Sequence, residues 1–198
     1  MNITLIYKER FETSYRHLAE YLKDEYNYKV IELSEVLRYH ISNKTELGEV
    51  CSNYLNLGRT VPDSVFHEIF KSEIEKSNLR NIAIKGYPNS KVQIQLFKQL
   101  CETNNYLIKN IWYLKGINTI RNILANPKYS LIFEKYESKE YAEKQIMRSR
   151  QNIESNLEEL KLGEKIILFE SEALGINFKD DKLRIKELME NSFNSNVN

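Results

Sequence analysis

The chain has 198 residues, 41% of them hydrophobic and 29% charged, which suits one packed domain with a hydrated surface rather than a disordered or membrane-embedded chain. Its formal net charge of +1 supplies no bulk attraction to nucleic acid or to an anionic membrane. Two isolated cysteines, Cys51 and Cys101, and three scattered histidines, His17, His40 and His67, give neither a CxxC pair nor zinc-site spacing, so no metal or other cofactor is expected.

From the amino terminus, Ile3–Tyr7 is a short apolar run that reads as a strand. It lacks the basic region and long apolar stretch of a signal peptide, so a soluble, cytoplasmic protein is expected. Tyr15, Leu18, Leu22 and Tyr26 recur on one helical face, Val30-Ile31 reads as a second strand, and Ser34 is expected to cap the helix after it. Thr45–Leu57, stopped by Gly58, and Pro62–Ser77, opened by proline, form a helix pair. Asn81–Lys85 is a third strand ended by Gly86-Tyr87-Pro88. A helix over Val92–Cys101, a strand over Ile108–Leu114 and a helix over Ile117–Leu124 follow, the last stopped near Asn126-Pro127. In Tyr136–Leu160 the residues Ala142, Ile146, Ile153, Leu157 and Leu160 make an apolar helical stripe ended at Gly163. Lys165–Phe169 is a fifth strand, Lys182–Met189 a closing helix, and the tail from Asn191 is expected to fray. Five strands separated by helices predict an α/β fold with a parallel sheet covered on both faces.

In such folds ligands bind beyond the carboxyl ends of the strands, which directs attention to those junctions. Leu33–Arg38 with Glu46-Leu47-Gly48, then Gly58-Arg59-Thr60-Val61-Pro62-Asp63, then Gly86-Tyr87-Pro88, resembles the adenylate kinase family of nucleoside monophosphate kinases in order and spacing. The likeness is close from about Val30 to Gln99 and weaker elsewhere. It implies a core of about 1–33, 78–124 and 138–190, a helical monophosphate-binding insert over 34–77, and a short lid remnant over 125–137.

The resemblance also implies which positions carry chemistry. The family's first strand leads into G-x-x-x-x-G-K-[ST], whose backbone amides and lysine cradle phosphates. Here that stretch reads Tyr7-Lys8-Glu9-Arg10-Phe11-Glu12-Thr13-Ser14, without a glycine and with Thr13 at the lysine position, and Phe11 and the two glutamates are expected to fill or repel the phosphate space. Lys8 and Arg10 either replace that lysine from another angle or lie in an exposed turn beside Glu9 and Glu12. Arg38 matches the arginine that contacts the monophosphate, Gln93 the glutamine that reads its base, Arg121 the arginine that packs on adenine, and Arg150 an arginine of the lid-flanking helix. Asn89 stands where the second monophosphate arginine belongs, Lys85 where an acidic residue belongs, and Ala125 where a catalytic arginine belongs. Arg38, Arg121 and Arg150 equally suit helix-surface arginines paired with nearby glutamates, and Gly86 and Pro88 suit a turn alone.

Losses at the donor, acceptor and metal sides compound, because phosphoryl transfer rests on positioning and charge stabilisation. The resemblance therefore implies a pseudo-enzyme with no catalytic residue, serving as an interaction module or structural subunit with protein partners; divergent domains of this family occur in larger assemblies, including ciliary ones. The alternatives are a sensor of AMP or a related nucleotide using Arg38 and Gln93, and an atypical phosphotransferase using Lys8, Arg10 or Lys85. The thirteen tyrosines read as core and rim residues, and no basic stripe accompanies them, so no nucleic-acid partner and no membrane are expected.

Overall fold

The computed structural model describes residues 1–12, 14–125, 139–162, 165–172 and 178–194. Thr13, Gly163 and residues 126–137 of the lid expected over 125–137 lie outside the described residues, as does the side chain of Ala125. Five strands, β1 Asn2–Lys8, β2 Lys29–Glu32, β3 Asn81–Lys85, β4 Leu107–Ile117 and β5 Ile166–Glu172, pair in parallel in the order β2-β3-β1-β4-β5. This is the α/β architecture expected from the alternation of strand and helix patterns, and it is consistent with a nucleoside monophosphate kinase fold. β1 is central, and the connections run to opposite sides of it, so a crevice opens beyond its carboxyl end.

The helices are α1 Tyr15–Tyr26, α2 Leu33–Ser42, α3 Glu46–Asn56, α4 Asp63–Glu75, α5 Lys91–Thr103, α6 Thr119–Ala125, α7 Lys139–Leu160 and α8 Phe178–Asn194. Successive strand residues face opposite ways, so the sheet builds two cores. Ile3, Leu5 and Tyr7 join Phe70, Ile94 and Phe97 and the α7 stripe Ile153, Leu157 and Leu160 on one face. Ile6, Trp112 and Phe169 meet Leu18 and Leu22 of α1 and Ile185 and Met189 of α8 on the other. All five residues of the expected α7 stripe are buried, and both cysteines are buried free thiols. No helix among the described residues is long and apolar enough to cross a membrane.

Three local expectations are corrected. Ser34 does not cap α2: Glu32 occupies that position, and the Ser34 hydroxyl donates to its carboxylate at 2.7 Å. Ile117 belongs to β4, whose pairing with β5 continues to the Ile117–Glu172 register, so α6 begins only at Thr119. The closing helix reaches Asn194, past the expected fraying point.

Helices α2–α4 share a small core around Cys51, Val61 and Ile69. Thr45 caps α3 by accepting from the Gly48 amide at 3.1 Å, and its hydroxyl lies 2.7 Å from His40 Nδ1. Gly48 is held to glycine by close approach, since an added Cβ would lie 2.0 Å from the His40 carbonyl oxygen. His67 Nδ1 lies 2.6 Å from the Tyr87 hydroxyl, and Tyr87 stacks on Phe70 at 4.3 Å between centroids.

Burial holds both His40 and His67 below the usual imidazole pKa. The unfolded chain therefore takes up protons first as pH falls. This stabilising contribution is complete above the unfolded value of about 6.5 and is lost as pH drops from there through the folded values. Urea midpoints should be lower at about pH 5.5 than at about pH 7.5, with the difference reduced in a His40→Asn/His67→Asn variant. An identical pH dependence in parent and variant would contradict this assignment.

Candidate functional site

At the carboxyl end of β1 the chain turns within a few residues into α1. Glu9 donates its backbone N–H to the Leu114 carbonyl at 2.9 Å, continuing the alignment of β1 with β4. Its side chain is completely buried. Such a carboxylate is tolerable only when its lone pairs are met by donors. Arg150 of α7 supplies two, Nε to Oε1 at 2.7 Å and Nη2 to Oε2 at 3.0 Å, and the Tyr113 hydroxyl donates to Oε1 at 2.8 Å. This is a bidentate, charge-assisted pair with a third neutral donor. The bond to Glu9 raises the Arg150 pKa further, so the guanidinium is permanently charged.

Glu12, also buried, accepts from the Ser14 hydroxyl, the Ser14 amide at 2.5 Å, the Tyr15 amide at 3.4 Å and the Ser171 hydroxyl at 3.2 Å. Those amides open α1, so the carboxylate sits where the helix dipole favours an anion. Lys8 directs its ammonium to the carbonyls of Glu12 at 2.7 Å and Glu9 at 3.4 Å, and burial lowers its pKa. Phe11 adopts φ 67°, a region in which bulky residues are strained and glycine is not. Arg10 is exposed, 5.4 Å above the Phe11 ring.

The expected exposed turn flanked by two surface glutamates is thus corrected in one respect. Glu9 and Glu12 are buried, and their carboxylates take up the donors of Arg150 and of the start of α1. Sequence reasoning placed these two glutamates at the phosphate space but missed Tyr113 and the pairing of Glu9 with Arg150, because an isolated glutamate after a strand also reads as surface charge. The one local signal was their position between a largely apolar strand and a helix.

The turn after β3 is engaged in the same manner. Gly86 takes φ 83°, and the Tyr7 hydroxyl donates to the Pro88 carbonyl at 2.8 Å. Lys85 pairs with Glu32 at 2.5 Å and lies 4.1 Å from the Tyr15 ring centroid. The Gln93 amide is buried and used at both ends, accepting from the Asn89 amide at 2.7 Å and donating to Asp63 Oδ1 at 2.6 Å. Ser90 donates to the other Asp63 oxygen at 2.8 Å. Asn89 Oδ1 accepts from Asn152 at 2.8 Å and Asn156 at 3.4 Å, which ties this turn to α7.

A cleft of about 480 Å³ lies over these strand ends and brings Lys8, Arg10, Lys85, Gly86 and Asn89 together with Arg148 of α7. A second, of about 560 Å³, brings Arg121 and Arg150 together with Lys115 and Thr119. Arg38 lines neither cleft and is exposed on α2, whereas Gln93 is buried behind Asn89. Ser14 is bonded to Glu12. The two strongest anion-binding elements at the strand ends, the Arg150 guanidinium and the start of α1, therefore each already hold a carboxylate of the same chain.

No family model matches the chain. Curated adenylate kinases share part of it: that of Flavobacterium psychrophilum is 32% identical over 76 residues, covering 38% of this chain and 40% of the relative. The adenylate kinase of Bifidobacterium longum is 32% identical over 83 residues, covering 41% and 45%, and that of Mycoplasma mycoides is 29% identical over 96 residues, covering 48% and 45%. The chain thus spans less than half the length of these relatives, a distant and partial relationship to adenylate kinases.

Proposed function

We propose that this protein is a non-catalytic adenylate-kinase-like domain that works as an interaction module or structural subunit of a larger assembly. The observation that carries this reading is the wholly buried Glu9 carboxylate gripped by Arg150 and Tyr113. A ligand phosphate arriving at these donors meets a competing internal anion that pays no association entropy. Glu12 holds the start of α1 in the same way, and Lys8 and Lys85 are committed to carbonyls and to Glu32. What remains is a set of internal fastenings between β1, the turn after β3 and α7.

Titration calorimetry with ATP and magnesium, to millimolar ligand, should give no saturable heat. Saturable binding at micromolar ATP would overturn the reading. A second reading, an AMP sensor, is favoured only by Arg38, which is exposed and meets no hydrogen-bond or ionic partner among the described residues. It predicts an AMP isotherm that Arg38→Ala abolishes.

A further inference from the structure

We propose that the Arg150 guanidinium and the Tyr113 hydroxyl form an oxyanion-binding site that Glu9 occupies as a built-in ligand, fastening α7 to the sheet. The inference rests on the non-catalytic reading and names what that site holds. Three donors converge on one fully buried carboxylate from residues 104 and 141 positions away in the chain. Here the donors form a fork and a cap, the geometry that recognises a planar carboxylate or a phosphate face.

The tether makes the occupancy permanent. A carboxylate carried on β1's own continuation is presented at an effective concentration that millimolar free anions do not match. The way in from solvent is also built. Arg150, 37% exposed at its side chain, lines the cleft that contains Thr119. Thr119 lines the same cleft, and its buried hydroxyl has no hydrogen-bond partner among the described residues. Cutting back the Glu9 side chain should therefore leave a vacant oxyanion site rather than a collapsed core.

The test compares the full chain with its Glu9→Ala variant in acetate, in inorganic phosphate and in sodium chloride of matched ionic strength. Hydrogen exchange over 139–160 reports the fastening of α7, and fluorescence of the single, fully buried Trp112 reports the fold. Glu9→Ala should unfold at lower temperature and exchange about tenfold or more faster along α7. Acetate or phosphate should reverse both changes saturably, chloride should not, and the parent should respond to none of them. The acetate and phosphate arms distinguish a carboxylate site from one that prefers tetrahedral oxyanions. Arg150→Met in the Glu9→Ala background should remove the reversal.

Absence of an anion-specific response in Glu9→Ala, or an equal response in the parent, would overturn the proposal. Should Glu9→Ala not fold in any of these salts, the near-isosteric Glu9→Gln decides. Faster α7 exchange with an intact Trp112 signal supports the fastening, and unchanged exchange overturns it. These readouts contain no nucleotide, so their failure is distinct from the discovery of ATP binding or turnover, which would strike the non-catalytic reading instead.

Discussion

Arg150→Ala is expected to destabilise the fold by about 2–3 kcal/mol, the largest cost of any single substitution on the surface of α7. Removing one member of a buried ion pair leaves the other charge without compensation, which costs about 3–5 kcal/mol when both are fully desolvated. Here Glu9 is fully buried but the Arg150 side chain is 37% exposed, so screening by water places the effect at or below the lower end. For a chain of this length that loss lowers the thermal midpoint by about 4–12 °C. Arg150→Lys retains the charge but not the fork, and should fall between parent and alanine variant. Arg148→Ala, exposed on the same helix two residues away, should stay within about 0.5 kcal/mol of the parent. Equal midpoints for Arg148→Ala and Arg150→Ala would remove the buried pair from the account.

Most of the fold was legible because it rests on periodicity. The run Ile3–Tyr7 and the Ile82–Ile84 centre of β3 are buried strand segments, and the α7 stripe from Ala142 to Leu160 packs as its spacing demands. Boundaries moved where tertiary pairing overrode local signals. Ile117 stayed in β4 because β5 extends to meet it, and Ser34 gave up the cap to Glu32, whose carboxylate also serves Lys85.

The site was legible as a set of absences and not as what replaced them. That Tyr7–Ser14 holds no glycine, and has Thr13 where the resemblance expects a lysine, is read from the sequence alone. That Glu9 would turn inward depends on Arg150 and Tyr113, which reach it only once β4 and α7 are packed. The same holds for Asn89. It reads as a lost arginine, but in the folded chain it is the acceptor that joins the turn after β3 to Asn152 and Asn156. Long-range polar partners of this kind leave no periodic trace, since each is one residue chosen by distance in space.

The second large expected effect concerns catalysis. Ordinary kinase turnover is of order tens per second. Losing one preorganised donor at a developing charge costs about 10²–10³ in rate, and losing an arginine that stabilises the transferring group about 10³–10⁵. In this chain Arg150 is held by Glu9, the start of α1 by Glu12 and Lys85 by Glu32. On the proposed non-catalytic reading, even two such losses acting together, at about 10⁵ or more, would leave a rate near 10⁻³ per second or below.

The decisive measurement is a coupled ADP-formation assay on the purified full chain with AMP, ATP and magnesium, calibrated against an active adenylate kinase. The account predicts turnover no greater than about 10⁻³ per second. Turnover of order one per second or faster, abolished by Arg38→Ala or by substitution of Lys8, would contradict it and identify a working phosphotransferase built on a different phosphate cradle.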